Sequence, residues 1–66
     1  MVKQGQVYRN IHDGTLILIL GRIFFRGVSI AILNKEHKLY KIPGVIINLS
    51  GIKKNYSLVV NNYAAK

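Results

Sequence analysis

Lys3, Arg9, Arg22, Arg26, Lys35, Lys38, Lys41, Lys53, Lys54 and Lys66 are the residues best equipped to engage a partner. They face two acids, Asp13 and Glu36, and leave a formal net charge of +8. Each phosphate neutralised by such a cation releases counterions, so a basic surface has sequence-independent affinity for DNA or RNA. Aromatic rings are interleaved with the cations: Tyr8 beside Arg9, Phe25 beside Arg26, Tyr40 between Lys38 and Lys41, Tyr56 after Lys54. Unpaired bases stack on such rings for ~1–3 kcal/mol each. The expected phosphate contacts are Arg9, Arg22, Arg26, Lys38, Lys41, Lys53 and Lys54, with Tyr8, Phe25, Tyr40 and Tyr56 as stacking or interface rings. A plainer role competes with this one. Scattered cations also make a soluble surface, and Tyr8, Tyr40 and Tyr56 also suit the core of a small domain. A smaller charge would, however, serve solubility.

Catalytic chemistry has little to draw on. Asp13 and Glu36 fall in separate expected loops, whereas paired carboxylates must stand within several ångströms of each other. Asp13, before Gly14, reads as a turn residue. His12 and His37 are bases or ligands in principle, but two histidines with no third ligand make a poor zinc pattern. The chain has no cysteine, so disulfides, thiolate metal sites and cysteine nucleophiles are ruled out. No Ser/His/Asp order and no glycine-rich phosphate loop is present. The expectation is a binding protein, not an enzyme, with no catalytic residue, no cofactor and no metal. The absence of cysteine also fits a reducing, cytoplasmic setting.

The elements that position these residues must come from 66 residues, half of them hydrophobic. A chain of this size hides only about 60% of its extended surface, so burial and ordering nearly cancel. Ile and Val dominate and Glu–Lys helix pairs are nearly lacking, which favours strands. Residues 5–9 read as a first strand and Asp13-Gly14 as a turn. Residues 15–20 read as a strand apolar on both faces, with Gly21 open to a bulge or bend. In the next strand, 28–33, Val28, Ile30 and Ile32 share one face and Ser29 and Ala31 the other. Residues 38–42 read as a fourth strand with Tyr40 and Ile42 inward. Val45, Ile46 and Leu49 have helical spacing, so 45–49 reads as a helical turn that Gly51 can end, followed by a basic loop, Lys53-Lys54-Asn55. Residues 56–60 form the last strand. The fold class is therefore all-β: a small five-stranded barrel with one short helical turn before the last strand, one domain over 1–60 and a tail over 61–66.

This order resembles the small SH3-like β-barrel proteins of phages and mobile elements. The resemblance is carried by Lys3-Gln4-Gly5-Gln6-Val7-Tyr8, by the Asp13-Gly14 turn into Ile17 and Ile19, and by Asn55-Tyr56-Ser57-Leu58-Val59. It covers nearly the whole chain. The run Leu16-Ile17-Leu18-Ile19-Leu20 and the net charge depart from the pattern. A strand apolar on both faces is central in its sheet or covered by another subunit, so a homo-oligomer through residues 16–20 is one expectation. Of the adjacent Phe24 and Phe25, one is expected to point outward, because successive strand residues face opposite sides. An outward ring between Arg22 and Arg26 would be an anchor at an interface.

Residues 16–33 hold only two charges, Arg22 and Arg26. Each arginine near a bilayer centre costs ~2.5–3.5 kcal/mol and each apolar residue returns only ~0.3–0.6, so a spanning helix is not expected. Nor does the polar start, residues 1–14, read as a signal peptide. The function expected is that of a small basic module, phage or mobile-element encoded, that binds nucleic acid. The alternative is an inhibitor or adaptor that docks on an acidic surface of a host protein. A membrane-active peptide and a structural subunit of a larger particle are further readings of the same charge and apolar faces.

Overall fold

The computed structural model describes residues 2–63 and, of Ile23 and Phe24, the backbone alone. Five strands and one helix follow in the order β1 (Val7–Asn10), β2 (Leu16–Phe24), β3 (Gly27–Ile32), β4 (Val45–Asn48), α1 (Leu49–Asn55) and β5 (Tyr56–Val60). They form one antiparallel sheet in the order β4-β3-β2-β1-β5. The all-β class, the five strands and the short helix before the last strand match the expectation. The barrel does not close, because β4 and β5 end the sheet as separate edges.

The core follows from alternation along the two central strands. Ile17 and Ile19 of β2 and Val28, Ile30 and Ile32 of β3 turn to one face and are buried. Tyr8 joins them from β1, and Ile52 is the buried residue of α1. Ser29 and Ala31 lie on the other face, as their alternation predicts, and are half-buried. β2 is the central strand of the sheet; on its second face Leu16 and Leu18 are half-buried and Leu20 is exposed. The ladder between β2 and β3 shifts register between Ile19 and Gly21 and again between Arg22 and Phe24. Gly21 thus supplies the irregularity its position suggested. Gly14 turns the chain into β2 at φ 81°, a left-handed conformation open to glycine at little cost.

Two segments depart from the sequence reading. Residues 38–42 do not form a strand. Tyr40 makes one isolated bridge to Ile32, and the chain otherwise turns through His37 N–H to Asn34 O, Tyr40 N–H to His37 O and Ile42 N–H to Leu39 O. Lys41 then takes a φ of 64°, which no strand allows. Tyr40 is half-buried and Ile42 is exposed, not inward. The fourth strand is instead Val45–Asn48, where a helical turn was expected. Its β-branched run favours extended backbone, and β3 offers it an edge. The helix starts after it. Asn48 is the N-cap, its Oδ1 accepting from Ser50 N–H at 2.9 Å. Gly51 lies inside the helix instead of ending it, and Lys53 and Lys54 sit in its last turn instead of in a loop.

A buried polar knot ties the two ends of the chain together. Gln6 is buried; its Oε1 accepts from Lys3 N–H at 2.7 Å and from the Tyr8 hydroxyl at 3.0 Å, while its Nε2 donates to Asn61 Oδ1 at 3.0 Å. Tyr63 N–H donates to Gly5 O at 2.7 Å. Among the described residues no buried side-chain polar atom lacks a partner.

Candidate functional site

β2 and β3 meet in a tight turn at Phe25 and Arg26. The turn lifts the Phe25 ring into solvent, where it is 83% exposed. The Arg26 guanidinium stands over that ring, 5.5 Å from its centroid, within cation–π range. Arg22, three residues earlier, donates from Nη2 to Phe25 O at 3.2 Å. Arg26 O in turn accepts from Leu49 N–H at 2.8 Å, which fastens the turn to the start of α1. The outward ring between two arginines is therefore present, and it sits in a turn and not in a strand.

A groove opens on each side of Arg26. One, of about 330 Å³, is lined by Phe25, Arg26, Gly27, Ile46, Ile47 and Asn48. The other, of about 340 Å³, is lined by Arg26, Leu49, Ser50 and Lys53. The first has an apolar wall: Ile46 is half-exposed on β4, opposite Ser29 in the ladder. The second is cationic and carries one hydroxyl. That hydroxyl, Ser50 Oγ, lies 2.7 Å from Asn48 Oδ1 and donates to it. The tip thus combines an exposed π-face, an apolar wall and a basic groove.

The structure gathers Arg22, Phe25, Arg26 and Lys53 of the expected set at this tip. It does not bring the others there. Lys38 and Lys41 lie in the segment between β3 and β4, beyond the far end of β3 from Gly27, about 17 Å along the strand at ~3.4 Å per residue. There the Lys41 ammonium stands 5.6 Å from the Tyr40 centroid, a smaller second pairing of cation and ring. Arg9 is exposed on β1, between β2 and the edge strand β5, opposite Leu16 and Ser57. Lys54 is exposed on α1 and lines neither groove.

Tyr8 is corrected as a stacking ring. It is buried in the core and its hydroxyl is held by Gln6, and desolvation pushes its pKa up. Tyr56 packs half-buried against the same core. The adjacency of Tyr8 and Arg9 reflects strand alternation, with the ring inward and the cation outward, whereas Lys54 and Tyr56 lie on different elements, α1 and β5. Ile46, Asn48 and Ser50 were missed as part of a site. Their only signal was a β-branched run before an Asn-x-Ser cap, and this gives no hint of which turn the strand lies beside.

The two histidines serve loops. His12 has a ring nitrogen 3.3 Å from Asn55 Oδ1, and His37 Nδ1 accepts from Leu39 N–H at 3.0 Å. Asp13 Oδ1 accepts from Thr15 N–H at 2.9 Å, and this bond, together with one from the Thr15 side chain, holds its carboxyl below the ordinary value. Among the described residues no three His, Asp or Glu side chains gather as a metal-binding group, and no helix is long and apolar enough to cross a membrane. The chain matches no protein-family model, no curated protein and no solved structure.

Proposed function

We propose that the protein is a small binding module that takes nucleic acid at the β2–β3 turn, with Arg22, Arg26 and Lys53 contacting phosphates. The observation that carries this reading is the exposed Phe25 ring held under Arg26 beside a cationic groove. A net charge of +8 supplies the long-range attraction, and the turn supplies a place where cations converge. Catalysis forms no part of this function.

The test is binding of the nuclease-treated protein to short labelled DNA and RNA across a salt series. With three phosphates neutralised, log K should fall against log[salt] with a slope of about −2 to −3, and more steeply if Arg9, Lys38 or Lys41 also reach the backbone. A flat response, or no binding at low salt, would overturn the reading.

One observation supports a second reading. The wall formed by Ile46 and Ile47 beside Phe25 also suits a protein partner with an acidic rim, which the basic surface would steer. This reading predicts no affinity for oligonucleotides and a Phe25-dependent complex with an acidic protein.

A further inference from the structure

Resting on the nucleic-acid reading above, we infer that the preferred ligand is single-stranded, with one unpaired base seated between Phe25 and Ile46 and the adjoining phosphate in the groove of Arg26, Ser50 and Lys53. In a duplex the base faces are stacked on their neighbours, so a protruding ring finds no face to cover. In a single strand every base has a free face, and a ring can take it whatever the sequence.

The geometry of the tip fits that substrate in three respects. The Phe25 ring is 83% exposed, the most exposed of the large hydrophobic residues in the described structure, and it belongs to no core. It is also backed. Arg26 stands over it at 5.5 Å, and Arg22 holds the Phe25 carbonyl at 3.2 Å, so the ring is held at the tip of the turn. Finally, the apolar groove and the cationic groove share Arg26 as a common wall. A nucleotide has the same division, an aromatic base on one side and an anionic phosphate on the other. Asn48 adds a polar group to the base groove. Its Oδ1 is occupied by Ser50 N–H and Ser50 Oγ, which leaves its Nδ2 as the donor a base carbonyl can use. At the Tyr40–Lys41 pairing, by contrast, the ring is half-buried.

The experiment compares four probes at one salt concentration by fluorescence anisotropy: oligo(dT), oligo(U), and a DNA and an RNA duplex of the same length. Wild type, Phe25→Ala and Phe25→Tyr are measured on each. The exposure of Phe25 leaves the core untouched in both variants, and circular dichroism checks this. The expected result is tighter binding to one or both single strands than to either duplex. Phe25→Ala should lower single-strand affinity by about 5- to 150-fold while changing duplex affinity little, and Phe25→Tyr should restore it. Oligo(dU), which differs from oligo(U) in the 2′-hydroxyl alone, identifies the sugar. Equal affinity for single and double strands, unmoved by Phe25→Ala, would overturn this inference and leave phosphate binding at the tip standing. No binding to any probe would remove the nucleic-acid reading and this inference with it.

Discussion

Arg26 stands 5.5 Å from the centroid of the Phe25 ring, and the two residues together form the tip of the β2–β3 turn. An isolated exposed phenyl ring would be a liability in water. A guanidinium over its face satisfies the ring quadrupole for about 0.5–1 kcal/mol and keeps the ring presented. The carbonyl of the same arginine accepts from Leu49 N–H, so the tip moves with α1 and with Lys53 upon it. One residue therefore joins the aromatic surface, the basic groove and the helix.

Arg26→Ala and Lys53→Ala should each weaken oligonucleotide binding and reduce the salt slope by about 1, with little change in stability. Lys54→Ala, one residue away but outside the grooves, should change the slope less than Lys53→Ala does. Titrations at several salt concentrations give the slopes. Equal effects at Lys53 and Lys54 would mean that charge alone, and not the groove, determines affinity.

Ile52 is the buried residue of α1, fully covered by the core strands. Ile52→Ala should cost about 2–5 kcal/mol in urea denaturation. The helix would lose its anchor, and oligonucleotide affinity should fall with it even under conditions where the sheet remains folded. A cost under about 1 kcal/mol would show that α1 does not pack on the sheet as described.

The cap of α1 is separable from its packing. Asn48→Ala removes the acceptor for Ser50 N–H and should cost about 1 kcal/mol, whereas Asn48→Gly should cost only a few tenths. Denaturation midpoints of the two variants decide this. If Asn48→Ala loses nothing, the side-chain bond does not stabilise the helix start.

Stability should decline at both ends of the pH scale for different reasons. Burial raises the Tyr8 pKa above its ordinary 10.0, so the folded state favours the neutral hydroxyl. That contribution is complete below pH 10 and is lost as pH rises through the folded value. Tyr8→Phe should remove this alkaline loss. Asp13 is shifted the other way, below 3.8, by its bonds from Thr15. Its contribution is present above pH 3.8 and is lost as pH falls through the folded value, and Asp13→Asn should flatten that limb. Melting temperatures against pH for the three proteins test both signs.

The sequence carried much of the sheet. The alternation of Val28, Ile30 and Ile32, the Asp13-Gly14 turn, the bulge near Gly21 and the last strand, Tyr56–Val60, were all legible, because each is dictated by local pattern or turn chemistry. Residues 38–49 were not. Tyr40 and Ile42 alternate as in a strand, but the His37 ring and the left-handed Lys41 draw the backbone into turns. Val45, Ile46 and Leu49 have helical spacing, but pairing of Val45 with Ile30 and of Ile47 with Val28 decides for a strand. That long-range pairing is what places Ile46 beside Phe25. Phe25 and its flanking arginines could be picked out from sequence. The grooves could not, since their other walls come from β4 and α1.

The most direct test of the account is a map of backbone amide shifts in ¹⁵N-labelled protein titrated with oligo(dT). The largest changes should cluster at Arg22, Phe25, Arg26 and Gly27, extend to Ile46, Asn48, Ser50 and Lys53, and spare the loop that holds Lys38 and Lys41. Changes centred on that loop or on Arg9, with the Phe25 turn unmoved, would contradict it.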